Sequence, residues 1–234
     1  MSQPEVIRRH SLPVRIWHWL NALALLLLLM SGLQIFNAYP RLHWGQYGAN
    51  ADHAWLQLKD WPGWMTVPNY PNLADGRRWH FFFAWLLVLN GIAYFLWTVF
   101  SGHLKRDLAP DRADWKGFGR SVVDHIRLKH PTGEAAKRYN VLQKLAYLVA
   151  LFVLLPMMLA TGLTMSPGMN AAFPWLLDLF GGRPSARSLH FISAGLLVAF
   201  VAVHLIEVVL AGPINEVRSM ITGRYIVPQE HDNP

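Results

Sequence analysis

The chain has 234 residues, of which 53% are hydrophobic and only 15% are charged, a composition that excludes an ordinary soluble domain and indicates a membrane protein. It contains no cysteine, which excludes disulfides, iron–sulfur clusters, thiolate-bound metals and covalently attached c-type haem. The formal net charge of +7 would suit a nucleic-acid partner, but a charge asymmetry across a membrane explains it more simply, so no nucleic acid is expected.

Four segments are each long and apolar enough to cross a bilayer as a helix. Trp, Tyr and Phe residues cluster near their ends, as is typical of the aromatic belts at membrane surfaces. The sequence predicts an all-α integral membrane protein, a four-helix transmembrane bundle in a single membrane domain over residues 1–234, because it lacks the alternating pattern of membrane β-barrels. The predicted spans are residues 16–36, 79–101, 141–163 and 188–210.

The Lys and Arg residues predict the orientation of these spans. Fifteen of the 21 fall in the N-terminal flank, between the second and third spans and in the tail, whereas six fall on the opposite side. The side richer in Lys and Arg is the cytoplasmic side of a membrane protein. We therefore expect a multi-pass protein of the bacterial inner (cytoplasmic) membrane with both termini in the cytoplasm.

The connections between the spans differ in character. The outer loop, residues 37–78, is rich in Trp and Pro, which favours capping of an outer site, docking of a partner or simple residence in the interface. The inner loop, residues 102–140, is polar and is predicted to be partly helical on the membrane surface. The C-terminal tail, residues 211–234, is expected to begin with a short amphipathic helix. Pro156 is expected to kink the third span.

Two histidines of the fourth span, His190 and His204, are the most informative residues of the chain. Fourteen helical steps of about 100° bring the second side chain to within about 40° of the first, at a separation of about 21 Å along the axis. One imidazole is then expected near each side of a hydrocarbon core about 30 Å thick. By depth, His190 matches His80 on the outer side and His204 matches His18 on the inner side.

Two pairs of imidazoles at matched depths predict two haem irons, each bound by two histidines. A single histidine at a helix end is usually an interface residue, but buried imidazoles in lipid are costly and usually functional. The other histidines fall in loops or tails. His103 is the nearest competitor for the inner site, and it lies beyond the apolar run of its helix.

The residues that open the first span resemble those of a known group. The run Arg15-x-Trp17-His18-Trp19-x-Asn21, together with His80 and the His190/His204 pair, resembles the four-helix di-haem cytochrome b superfamily. That group includes bacterial cytochrome b561, the b-type cytochrome subunit of nickel–iron hydrogenases and the membrane subunit of formate dehydrogenases. The resemblance covers nearly the whole membrane core and implies two haem b groups, with quinone as an exchangeable substrate.

Further residues are candidates for the surroundings of these cofactors. Haem propionates need cations, and arginine suits carboxylates through bidentate pairing. Glycines within the spans would let a macrocycle approach the backbone or would simply serve helix packing, the latter being favoured for at least two of them. The propionate candidates are Arg77, Arg78, Arg183 and Arg187 outside and Arg15 and Lys144 inside; the span glycines are Gly32, Gly91, Gly162 and Gly195.

A quinone site is expected on the cytoplasmic side. Glu207 follows His204 by three residues and lies close to the same helix face, and quinone chemistry moves protons as well as electrons. Asn21 and Lys144 are the other polar candidates there. An interfacial glutamate that reaches water is the alternative explanation of Glu207.

The leading hypothesis is an electron-transfer subunit of an oxidoreductase complex. It would carry electrons between a periplasmic redox partner, such as a molybdopterin oxidoreductase, a hydrogenase-like enzyme or a cytochrome, and the quinone pool. One alternative is a stand-alone cytochrome b561-type quinone oxidoreductase that acts on a small species such as superoxide. Another is a non-redox membrane transporter. Membrane lipid is an expected neighbour, and a homodimer stays open.

Overall fold

The computed structural model describes residues 5–47, 53–102, 115, 118–126 and 141–227, and it is mainly helical. Nine α-helices, a 3-10 turn at Gly63–Met65 and four very short strands are present within these residues. In chain order the helices are α1 Leu12–Asn37, α2 Leu73–Phe100, α3 Phe118–Ile126, α4 Val141–Val149, α5 Leu155–Met165, α6 Pro167–Ala172, α7 Pro174–Leu179, α8 Arg183–Leu210 and α9 Pro213–Thr222; the strands are β1 Val6–Arg8, β2 Arg41–Leu42, β3 Leu56–Gln57 and β4 Arg224–Ile226.

Among the described residues, four helical segments are long and apolar enough to cross a membrane. They are Leu12–Asn37, Leu73–Phe100, Val141–Met165 and Arg183–Leu210. Each contains one predicted span almost entirely and extends it by up to six residues at the ends. The prediction of an all-α protein with four membrane-spanning helices is therefore confirmed.

Local chemistry explains where the long helices begin. At α2, the side-chain oxygen of Asn72 accepts a hydrogen bond from the backbone N–H of Asp75 at 3.0 Å, the usual N-cap arrangement. Before α8, Gly181 and Gly182 adopt positive φ values of 69° and 106°, and Pro184 then sits in the first helical turn. Gly182 also permits a close approach, since a Cβ there would lie 2.4 Å from the Cα of Gln46.

The third span contains a segment of wider helix where a kink was expected. Residues Ala150–Leu154 form a π-helix between α4 and α5. Pro156 lies directly after it, and a proline removes a backbone donor and crowds the carbonyl four residues earlier. A wider turn is one way to accommodate that missing hydrogen bond, as π-bulges do in other helices.

The chain forms two compact units. The first comprises Met1–Trp19, Ala93–Ala150 and Ala199–Pro234. Within it, β1 pairs with β4 as an antiparallel ribbon in which Ile7 lies opposite Tyr225. Arg9 forms an ion pair with Glu216 of α9 at 3.2 Å, and its guanidinium lies 4.4 Å from the centre of the Tyr225 ring. This set of contacts, the terminal module, ties the start of the chain to the tail.

The second unit comprises Leu20–Ile92 and Leu151–Val198. Its outer loop is anchored to the first turns of α8. The Ser188 hydroxyl donates to the carbonyl of His43 at 2.7 Å and accepts from the indole N–H of Trp55 at 2.9 Å. The backbone N–H of Gly45 donates to the Ser185 hydroxyl at 2.8 Å. The strands β2 and β3 close the loop on itself.

The short helices predicted for the inner loop and for the tail are present in the described part of the chain. Helix α3 occupies part of the inner loop, and α9 forms the amphipathic start of the tail. The rest of the inner loop, with most of its cations and the competing His103, lies outside the described residues.

Candidate functional site

The histidines of the second unit, His80 on α2 and His190 on α8, face each other. Their ring centres lie 6.2 Å apart with an angle of 61° between the ring planes. Both helices are apolar around these positions, and no hydrogen bond joins the two rings within the described residues.

The Nδ1 atom of His80 is held by a serine of α1. The Ser31 hydroxyl lies 3.1 Å from that nitrogen and 2.6 Å from the carbonyl oxygen of Leu27, one turn back on its own helix. A hydroxyl has one proton, and the short contact to the carbonyl uses it, so Ser31 accepts from the His80 ring. Because Nδ1 is then the protonated nitrogen, the lone pair of Nε2 is available to a metal.

The His190 ring is held in the same way by a threonine of α5. The Thr161 hydroxyl lies 3.0 Å from Nδ1 of His190 and donates to the carbonyl of Met157 at 2.6 Å. Ser31 and Thr161 are both fully buried. The two outer imidazoles are therefore in the same tautomer, and each has its Nε2 free of a proton.

A glycine follows each of these hydroxyl residues. A Cβ at Gly32 would lie 3.5 Å from Cε1 of His80, and a Cβ at Gly162 would lie 3.4 Å from Cε1 of His190. In contrast, a Cβ at Gly91 or Gly195 would meet no described atom within 4 Å. Two of the four span glycines thus lie directly against the outer imidazoles.

The first unit contains the second histidine pair, His18 of α1 and His204 of α8. Their ring centres are 6.3 Å apart, again with 61° between the planes. Trp19 packs edge-on against His18 at 5.1 Å. Unlike the outer imidazoles, His18 has a buried Nδ1 that finds no hydrogen-bond partner among the described residues.

The spacing of both pairs can be tested against coordination of one metal. Metal–imidazole bonds are about 2.0 Å long, so two nitrogens on opposite sides of a metal lie about 4 Å apart. Each ring centre lies about 1.2 Å beyond its nitrogen, which predicts about 6.4 Å between centres in that bond geometry. The observed 6.2 and 6.3 Å agree with this value. Both pairs therefore have the ring spacing expected of two histidines that would hold one metal ion between them.

A cavity of about 160 Å³ adjoins the inner pair. His204 and Glu207 of α8 line it on one side, and Gln143 and Tyr147 of α4 line it on the other, with apolar residues completing its wall. Glu207 thus shares a cavity with a candidate iron ligand. Lys144 is nearly buried on α4 but is not among the lining residues. Asn21, in the second unit, accepts a hydrogen bond from Asn90 at 2.6 Å.

Four of the six predicted propionate partners contact protein groups in the structure. Arg15 donates to the carbonyl of Ile221 at 2.6 Å, and Arg187 donates to the carbonyls of Tyr39 and Arg41. The exposed Arg78 pairs with Asp75 at 3.0 Å. Arg77 lies 5.5 Å from the centre of the Phe81 ring. A role of these cations toward propionates stays a prediction.

The contacts of Ser31 and Thr161 with the histidines were not predicted from the sequence. Each is a small hydroxyl residue followed by glycine near the C-terminal end of an apolar span, and this repeated pair was the available signal. Nor was the terminal module predicted, in which burial, with the charges of Arg9, His18 and Arg15, lowers the pKa of His10 to about 4.

Comparison with known families gives an independent result. A sequence model of the family described as prokaryotic cytochrome b561 matches residues 9–223 of this chain. The match contains all four predicted spans and all four paired histidines. No solved structure matches the chain significantly.

Curated relatives of similar length accompany this match. A protein of Azospira oryzae, provisionally described as a protein-methionine-sulfoxide reductase subunit, is 32% identical over 88% of this chain and 92% of its own length. A protein of Cupriavidus necator described as a probable nickel–iron-hydrogenase B-type cytochrome subunit is 22% identical over 90% of this chain and 83% of its own. One of Azotobacter vinelandii with the same description is 25% identical, over 82% of this chain and 76% of its own.

Proposed function

The chain belongs to the prokaryotic cytochrome b561 family, and from this membership and its two histidine pairs we propose that it is a di-haem electron-transfer subunit. One haem b would be held between His80 and His190 and the other between His18 and His204. The spacing of 6.2 and 6.3 Å between ring centres is the observation that carries the proposal. When bound, haem supplies the one-electron chemistry.

The protein residues have definite tasks in this proposal. The four imidazoles would supply the protein ligands of the two irons, and the apolar residues around them would keep water from competing for the iron. His190 and His204 are fourteen residues apart on helix α8, so this one helix would supply a ligand to each site. The two sites would then form a path for single electrons through the membrane.

We propose that the outer loop docks a periplasmic redox partner. The loop is anchored by buried hydrogen bonds and still presents large aromatic side chains, since Tyr47 is 86% and Trp64 is 78% exposed. Exposed aromatics on an ordered loop are typical of protein interfaces. The relatives are described as subunits of a methionine-sulfoxide reductase and of hydrogenases, which supports an oxidoreductase as the partner.

The cavity beside His204 and Glu207 is our candidate for the quinone site on the cytoplasmic side. It brings a carboxyl group close to an iron ligand, and quinone reduction or quinol oxidation needs a proton-exchanging group near the electron donor or acceptor. Glu207 would exchange protons with the bound quinone, and the apolar wall would receive its ring.

A haem count on histidine variants tests the central proposal. The purified chain should contain two b haems by its reduced-minus-oxidised spectrum and by quantified haem per polypeptide. His190→Ala and His204→Ala should each lose one. The matched control is His53→Ala, because His53 is an exposed histidine outside both pairs. A chain without haem, or haem insensitive to both substitutions, would refute the proposal.

The proposed orientation can be tested by labelling, because the chain has no cysteine of its own. A single cysteine introduced as Tyr47→Cys should react with a membrane-impermeant maleimide in intact spheroplasts. One introduced as Arg224→Cys should react only after the membrane is permeabilised. The reverse pattern would place the termini outside.

A further inference from the structure

The outer and inner histidine pairs differ in the hydrogen-bond partners of their Nδ1 atoms. At the outer pair, Ser31 and Thr161 accept from Nδ1 of His80 and His190 at 3.1 and 3.0 Å. At the inner pair, Nδ1 of His18 has no such partner within the described part of the chain. The two pairs thus differ in the hydrogen bonding of Nδ1 and not in ring geometry, because the distance between ring centres and the angle between ring planes are nearly identical.

The two hydroxyl groups cannot easily change their role. Each donates its own proton to a carbonyl four residues earlier in its helix at 2.6 Å, and each belongs to a fully buried residue. Rotation of either hydroxyl away from that carbonyl would break this short bond in an apolar region, which is costly. Ser31 and Thr161 are therefore fixed as acceptors.

We propose that Ser31 and Thr161 are positioning residues that set the redox potential of the outer haem, an inference that rests on the proposed function. An acceptor on Nδ1–H fixes the tautomer of an iron-bound imidazole and raises the basicity of the coordinating nitrogen. A more basic axial ligand stabilises ferric over ferrous iron, so the hydroxyls lower the midpoint potential of the haem between His80 and His190.

The two haems should therefore differ in midpoint potential, because the hydrogen bonds to their histidines differ. Removal of a hydroxyl should raise the potential of the outer haem and leave the inner haem unchanged, because Ser31 and Thr161 contact the outer histidines alone among the four.

Redox titration of the two-haem protein with Ser31→Ala, Thr161→Ala and the double variant tests the proposal. Each single variant should keep two haems and raise one midpoint potential, changing the ferric-to-ferrous equilibrium of that haem at least threefold. That is about 28 mV, since a tenfold change is 59 mV for one electron. The shifted haem should be the one that His190→Ala removes, and its low-spin ferric electron paramagnetic resonance signal should move with it.

Two further variants separate hydrogen bonding from packing. Thr161→Ser keeps the hydroxyl and should keep the potential. Thr164→Ala removes another buried hydroxyl of α5, which donates to the Thr161 carbonyl rather than to a histidine, and should shift neither haem. An unshifted outer haem in the double variant, an equal shift in Thr164→Ala, or loss of haem from the alanine variants would overturn the inference. A wild-type chain without two haems would instead refute the proposed function.

Discussion

The Ser188 hydroxyl makes two hydrogen bonds that join the outer loop to helix α8. Ser188→Ala should therefore make the loop open more often. Ser188 is fully buried, and its hydroxyl bridges the carbonyl of His43 and the indole of Trp55. Alanine fits the same space but makes neither bond. The substitution therefore isolates the two hydrogen bonds from any change in packing volume.

The expected cost follows from the burial of the two partners. His43 is 5% exposed, so its carbonyl would lose its partner away from water, at about 1–3 kcal/mol. Trp55 is 41% exposed and its indole can regain water, so its loss is nearer the net value of about 1 kcal/mol for one hydrogen bond. The sum of about 2–4 kcal/mol corresponds to opening of the loop about 30 to 1,000 times more often.

Hydrogen exchange measures this opening directly. The reporter is the backbone N–H of Trp55, which donates to the carbonyl of Leu42 at 3.0 Å across the β2–β3 ribbon. Peptides containing it should exchange faster in Ser188→Ala and should be unchanged in Ser193→Ala, a buried serine of the same helix. Equal exchange in wild type and Ser188→Ala would refute the view that these hydrogen bonds anchor the loop.

Three other predictions concern the proposed quinone site, the proposed docking role of the outer loop, and the terminal module. Glu207→Gln should lower quinone turnover about tenfold or more with both haems retained, by loss of proton exchange; unchanged turnover would remove Glu207 from the site. Trp64→Ala should weaken binding of the periplasmic partner about tenfold, whereas Trp175→Ala, equally aromatic and 61% exposed but outside the loop, should not. Burial lowers the pKa of His10 to about 4, so the unfolded state binds a proton before the folded state does as the pH falls. The terminal module should therefore lose up to about 3 kcal/mol of stability as the pH falls from about 6.5 to 4. Hydrogen exchange at the Arg9 amide, corrected for the intrinsic effect of pH, should rise over that range, and His10→Asn should abolish the rise.

The membrane helices and the depth-matched histidines could be predicted from the sequence because both follow from helix geometry in a bilayer. The bilayer imposes a length of about 20 apolar residues on each helix, so the spans can be located from composition, with ends that differ from the observed helix ends by up to six residues. Depth within a span is fixed by the rise per residue, which is how His80 was matched with His190 and His18 with His204. The structure brings these same partners together.

The remaining features depend on contacts between distant segments, which periodicity does not encode. The ribbon of β1 and β4 joins residues more than 200 positions apart, and three-residue strands give no alternating pattern long enough to detect. Ser31 and Thr161 were missed because a hydroxyl in a membrane helix usually bonds to its own backbone, as both of these do. Only the position of the neighbouring imidazole gives them a second role.

The pairing of only two imidazoles at each site indicates what kind of cofactor would fit there. A bare zinc or similar ion held by protein usually takes three or four side-chain ligands. Within the described residues, no group of three or more His, Cys, Asp and Glu side chains is positioned to hold a metal ion. A metal between His80 and His190 would therefore need most of its ligands from a non-protein source, and the apolar helices around it favour a flat organic macrocycle over water. Haem would meet both requirements, because its porphyrin would supply the remaining ligands and the two histidines would complete the set.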